Sequence, residues 1–265
     1  MQKDFWEGKA VIITGGGSGI GRCMTEILLK KGARVTAVSR GQKSLDSLKE
    51  ELSEYSESLF TVVADVSRKD ECKNAMEIIK SEFERVDVLI NNAGVGLRCE
   101  VERILDEDLK KVFDVNFFGA FYMMQETIKI FKDQGKGLIV NICSLGVKRP
   151  VFYTGGYTAS KAALAVLSDV AGLELKKYGI SVLCAYPGSV STEFRKNALG
   201  EPYPEDEVRL SRLSPKVAAE RIIEGIEKGK KEIYTSRKDY IFALFTRLFP
   251  RLSDLVVEKA FEKRR

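Results

Sequence analysis

The chain contains no histidine. That excludes a Ser-His-Asp triad and any histidine-ligated metal. Its five cysteines, Cys23, Cys72, Cys99, Cys143 and Cys184, are scattered, and none forms a Cys-x-x-Cys pair. A disulfide framework or zinc site is not expected, and a reducing cytoplasm is the expected location. Cys143 and Cys184 sit in apolar runs and read as packing residues. No stretch approaches the ~20 apolar residues of a membrane span. The opening residues, MQKDFWEGKAVIITGGG, hold no apolar segment long enough for a signal peptide. No repeat, low-complexity segment or Pro/Ser/Gly-rich linker divides the 265 residues, which suits one large domain. The net charge of +5 is uneven, because residues 228–265 alone carry 11 Lys/Arg against 5 Asp/Glu. The remainder is close to neutral, so no nucleic-acid-binding face is indicated.

What is present alternates. Short apolar runs at 9–14, 33–39, 59–64, 86–94, 137–144, 180–188 and 232–235 read as seven buried strands. Amphipathic stretches separate them. Helices are expected after Gly21, over 41–55, 68–85, 105–134 and 153–177, and over 214–228, where Ser214-Pro215 makes a good start. This order predicts an α/β fold: a Rossmann-type, doubly wound, seven-stranded parallel sheet with helices on both faces. Residues 1–240 form the expected domain, interrupted by a polar excursion at 189–213. Residues 241–265 form a basic, apolar C-terminal helical tail broken at Pro250.

Between the first strand and first helix lies TGGGSGIG, residues 14–21. Gly15, Gly17, Ser18, Gly19, Ile20 and Gly21 supply a tight turn and a helix N-terminus with unpaired N–H groups. A pyrophosphate suits that place. An acidic residue ending the second strand would grip an adenosine ribose. Here Ser39 and Arg40 stand instead, and a hydroxyl with a guanidinium suits a 2′-phosphate. NADP(H) is therefore expected over NAD(H).

Tyr157 and Lys161 are four residues apart in a predicted helix, so they share a face. The ammonium would favour the phenolate, giving an acid–base group that works near neutrality. Chance alone supplies about one Tyr-x-x-x-Lys in such a chain, and a second pair does occur at Tyr234 and Lys238. Its surroundings lack a matching serine or asparagine, so it is expected at the surface.

TGGGSGIG at 14–21, NNAG at 91–94, Ser144 and Tyr157-x-x-x-Lys161 together resemble the short-chain dehydrogenase/reductase family, in its single-domain form. The likeness covers roughly residues 8–236. It implies a phosphate turn at Gly15, Gly19 and Gly21, adenine contacts from Asp65 and Val66, and a cofactor-lined strand end at Asn92, Ala93 and Gly94. Asn91 reads as structural. It implies Tyr157 as proton donor or acceptor, Lys161 on the nicotinamide ribose, Ser144 on the substrate oxygen and Asn116 anchoring a relay water. Pro187, Gly188, Val190 and Thr192 would cover the nicotinamide. It also implies a homodimer or homotetramer through the long helices.

The substrate pocket is expected between Leu145–Tyr153, Val95–Arg98 and the excursion. Leu145, Tyr153 and Phe194 are its named contacts, with Arg98, Lys148, Arg149 and Arg195 available to an acidic group. A lipophilic carbonyl or alcohol fits. The alternatives are a catalytically silent NADP(H) sensor or interaction protein on the same fold, and a Gly-rich methyltransferase. The tail either packs on protein or makes peripheral contact with an anionic membrane.

Overall fold

The computed structural model describes residues 5–149, 151–202 and 213–262, with the side chains of 260–262 left aside. In chain order the elements begin with β1 (Ala10–Thr14), α1 (Gly19–Lys30), β2 (Arg34–Ser39), α2 (Gln42–Glu51), β3 (Leu59–Val63) and α3 (Lys69–Glu82). There follow β4 (Val88–Asn91), β5 (Leu97–Arg98), α4 (Asp106–Phe113), a π-helical turn (Asp114–Phe118), α5 (Gly119–Gln134), β6 (Gly137–Ile142) and α6 (Gly155–Leu175). The chain continues through β7 (Ile180–Tyr186), β8 (Leu199–Gly200), α7 (Pro215–Glu227), β9 (Glu232–Tyr234), α8 (Arg237–Leu248) and α9 (Pro250–Glu262).

Seven strands form one sheet in the order β3-β2-β1-β4-β6-β7-β9. Every pairing in it is parallel. A parallel sheet is covered on both faces, which is why its strands read as continuous apolar runs rather than alternating ones. Strand β1 shows the consequence. Val11 and Ile13 join the core layer beneath α1, α2 and α7, with Met24, Leu28, Leu45, Leu48 and Ile222. Ala10 and Ile12 point the other way, into the layer of α3, α5 and α6, with Met76, Ile79, Met123, Phe131 and Leu175. Trp6, the single tryptophan, is fully buried in the first layer and donates Nε1–H to Glu227 Oε1 at 2.8 Å.

Two predicted elements are resolved more finely, and two short strands are added. The long tract 105–134 divides into α4, the π turn and α5. The strand expected over 86–94 stops at Asn91, because Asn92–Gly94 turn outward as part of the strand-end loop. Short β5 and β8 pair with each other, not with the main sheet. Two residues apiece give too little periodicity to read. Residues 203–212 of the excursion, Pro204 among them, lie outside the described residues.

Candidate active site

The chain runs from β1 outward through β2 to β3, then returns to place β4 on the other side of β1. Such a reversal opens a crevice at the carboxyl ends of the strands. A cleft of about 890 Å³ occupies that position. Of the residues expected from sequence, Gly15, Ser18, Gly19, Ile20, Ser39, Arg40, Asp65, Val66, Asn92, Ala93 and Gly94 line its first half. Ser144, Leu145, Tyr157, Lys161, Pro187, Gly188, Val190, Thr192 and Phe194 line the second.

The glycine turn is shaped by close approach. Gly15 has φ 66°, which favours glycine, and a Cβ there would stand 2.9 Å from Asn92 Nδ2. A Cβ on Gly21 would meet the Gly15 carbonyl oxygen at 2.2 Å. Gly17 packs against Ser44, so neither Gly17 nor Gly21 lines the cleft itself. Asn92 ties the turn to β4: its Nδ2 donates to Thr14 O at 3.0 Å, while Thr14 Oγ1 accepts from the amides of Asn92 and Ala93 at 3.0 and 3.1 Å. The N-cap Ser18 spends no side-chain bond on the first turn of α1. Amides there remain available to an anion, and the adjacent backbone is bare of side chains. The cradle therefore fits a dinucleotide pyrophosphate. Asp65 is fixed at the next strand end, its Oδ1 accepting from Ser67 N and Oγ at 3.0 and 2.7 Å. Asn91 is buried against Asn141, a structural place, with Nδ2 donating to Asn141 Oδ1 at 2.9 Å.

Lys161 is 3 % exposed, and its Nζ donates to the Ile142 carbonyl at 2.8 Å. Burial pulls its pKa down to about 8, only partly opposed by nearby Cys143. Tyr157, one turn earlier, is half-buried and meets the Phe194 ring edge-on at 5.7 Å. Ser144 Oγ accepts from Gly146 N at 3.2 Å, which sets the loop beyond β6. Asn116 is fully buried behind the lining, not in it. It sits in the π turn, where its Oδ1 accepts from Val95 N at 2.8 Å. Its Nδ2 donates to Val95 O at 2.9 Å and Ser160 Oγ at 3.0 Å. A π turn is the kind of local kink that lets a helix present such a side chain to its neighbours. Gly94 leaves room beside both groups: a Cβ there would lie 3.1 Å from Asn116 Oδ1 and 3.3 Å from Lys161 Nζ.

Tyr153 is placed elsewhere. Its φ of 63° is unusual for an aromatic residue, and its ring lies under the Arg98 guanidinium at 4.5 Å. Arg98 is thereby drawn away from the cleft, donating also to Pro202 O at 3.3 Å. Lys148 pairs with Glu232, so of the four cations expected at the substrate pocket only Arg149 and Arg195 line the cleft. Lining residues not read from sequence include Lys111, Val115, Thr154, Thr158, Leu199 and Phe242. Lys111 and Val115 stand four apart, as do Thr154 and Thr158, and Thr154 is three before Tyr157, so helical spacing could have found them. Phe242 has no such signal, because it arrives from the tail.

Comparison with known proteins agrees with this architecture. A family model described as short chain dehydrogenase matches residues 9–201. A levodione reductase of Leifsonia aquatica is 31% identical over 219 residues, 82% of this chain and 79% of that protein. A 3-ketoacyl-(acyl-carrier-protein) reductase from Brucella melitensis, solved with NADH, superposes with a TM-score of 0.77 at 26% identity, covering 88% of this chain and 99% of that one. ElxO, solved with NADP, gives 0.76 at 26% identity, covering 86% and 98%. This chain belongs to the short-chain dehydrogenase family of oxidoreductases, which act on alcohol and carbonyl groups with a nicotinamide dinucleotide.

Proposed function

We propose that the protein is an NADP(H)-dependent reductase or dehydrogenase of lipophilic carbonyls and secondary alcohols, with Tyr157 as its acid–base group. The observation that carries the reading is Lys161, a buried ammonium one helical turn from a cleft-lining phenol. The bound cofactor would supply or take the hydride. Tyr157 then gives a proton to the carbonyl oxygen, or takes one from the alcohol. Lys161 stabilises negative charge on the phenol oxygen and would hold ribose hydroxyls. Ser144 directs its hydroxyl at the same substrate oxygen, so two donors meet charge as it grows there. Asn116 is a positioning residue: its two-way bond to Val95 holds the loop that carries Gly94 beside Lys161.

Arg40 supports the choice of NADP(H). It is exposed at the rim of the cleft, where a guanidinium can form paired hydrogen bonds with a 2′-phosphate. Arg40→Asp should reverse the preference, lowering kcat/KM with NADPH by roughly tenfold or more while sparing NADH. Equal use of both cofactors by the unaltered enzyme would sink this part. The apolar lining from Val95, Leu145, Val151, Phe194, Leu199 and Phe242 supports a lipophilic substrate. A screen of NADPH consumption over ketones graded by size and polarity tests the whole reading. No turnover across the panel would overturn it.

The outer face of α6 supports a homodimer or tetramer, because Val166, Val170 and Leu173 stand exposed along one stripe. All five cysteines are free, which supports a reducing, cytoplasmic setting. We take residues 1–240 as the catalytic unit and 241–265 as its basic, amphipathic C-terminal tail.

A further inference from the structure

We infer that the outward faces of α8 and α9 form a docking surface for an anionic lipid bilayer, and that this surface sets the mouth of the catalytic cleft against the membrane. The inference rests on the proposed function only in treating the cleft as the entry for a lipophilic carbonyl.

Helix α8 has two unlike faces. Asp239, Ala243 and Thr246 turn inward: Thr235 Oγ1 donates to Asp239 Oδ2 at 2.9 Å, and Thr246 Oγ1 donates to Lys148 O at 3.2 Å. A rotation of about 100° per residue puts Ile241, Leu244 and Leu248 on the opposite side. A surface helix normally carries charge there, yet these three are 62%, 44% and 60% exposed. Helix α9 repeats the pattern. Ser253 is buried, Asp254 pairs with Arg149, and Leu252, Leu255 and Val256 are each just over half exposed. Neither helix is a span, since no described helix is long and apolar enough to cross a membrane.

Charge selects the occupant. Exposed Lys238 and Arg247 flank the apolar stripe of α8, and exposed Arg251 and Lys259 border that of α9. The carboxylates are largely taken up elsewhere, Asp239 by Thr235 and Asp254 by Arg149. Among the described side chains of the two helices, only Glu258 remains. Apolar centre and basic rim are the pattern of a helix lying in an anionic interface, where lysine and arginine stems reach up to the headgroups. A second copy would bring one basic rim against another, and protein interfaces are poor in lysine. The cleft adjoins this surface at Phe242 and at Arg149, a lining residue paired with Asp254 of α9. Phe242, between the two faces of α8, lines the cleft together with exposed Val151.

The test is flotation of the full chain with phosphatidylcholine vesicles, with and without phosphatidylserine. Two double variants are compared, Leu244→Glu with Leu252→Glu, and Arg247→Glu with Arg251→Glu. The unaltered chain should float with the anionic vesicles alone, and each double variant should cut that fraction by about tenfold. NADPH turnover of a water-soluble ketone and molecular size by light scattering should be unchanged in both. Failure to float with anionic vesicles, equal flotation with neutral ones, or no loss in the leucine variant would overturn the inference. So would a smaller oligomer in the leucine variant, which assigns the face to a second copy. Flotation without turnover on any ketone would remove the carbonyl reading and leave the docking surface standing.

Discussion

Two Tyr-x-x-x-Lys pairs stand in this chain, and the fold treats them oppositely. Tyr157 and Lys161 share α6 and both line the cleft. Tyr234 ends β9, and Lys238 stands exposed in the first turn of α8. Tyr234 Oη donates to Glu232 Oε2 at 2.8 Å, its ring stacked on Tyr186 at 5.6 Å. Burial first, then the Glu232 bond, push that phenol well above its ordinary range. A phenol that donates to a carboxylate holds its proton. In the mechanism proposed above, Lys161 would do the reverse for Tyr157, as a cation kept in a buried place at the next turn. The comparison teaches that spacing brings a phenol and an amine together only within one helix, and that the surrounding charges decide what the phenol can do.

The sharpest break in the comparison is a matched pair of variants. Tyr157→Phe should lose about 10²- to 10⁴-fold in turnover, the usual worth of general acid help, and still bind NADPH by fluorescence titration. Tyr234→Phe should stay within about twofold. A near-wild-type Tyr157→Phe would remove the proton donor from the mechanism.

The second test uses the lysine. With its pKa lowered to about 8 by burial, Lys161 loses its charge as pH rises through that value. The kcat/KM for reduction should therefore fall above about pH 8 in the wild type. Stability carries the opposite sign. The folded pKa lies below the ordinary lysine value of 10.5, so the burial penalty is present in full below about pH 8. It diminishes between about pH 8 and 10.5, where the unfolded chain binds more protons. Lys161→Met should abolish most turnover yet raise Tm at pH 7, the linkage ceiling being about 3 kcal/mol less the lost bond to Ile142. The variant should also flatten the rise of stability with pH. An unchanged or lower Tm would show that the lysine's hydrogen bond outweighs its desolvation.

The sequence made the sheet legible because each parallel strand is buried on both faces and so leaves an unbroken apolar run, as at Ala10–Thr14. The glycine turn was legible for a different reason: close backbone approach at Gly15 and Gly21 allows little else. Two things were hidden. Tyr153 sits in a loop whose backbone turns its ring onto Arg98, and composition carries no sign of that turn. The inward face of α8 was hidden because its anchors, Asp239 and Thr246, are polar. A tail that looks apolar and basic in sequence therefore conceals the polar contacts that dock it.

That concealed face gives the smallest effect and the finest test of the contrast, because one helix carries both Lys238 and a wall of the first pair's cleft. Lys238→Ala should change neither turnover nor substrate choice. Phe242→Ala, one turn further on, removes a half-buried ring from the cleft. Space opens where α8 walls the cleft, and the proton-donating phenol itself is left in place. The kcat/KM for branched or cyclic ketones should rise about 3- to 10-fold relative to that for a small linear ketone, carried by KM more than kcat. Stability should fall by about 1 kcal/mol, the ordinary loss for a partly buried side chain. If the ratio of the two substrates stays fixed while both rates fall, Phe242 only braces α8, and the second pair's helix has no part in choosing what the first pair protonates.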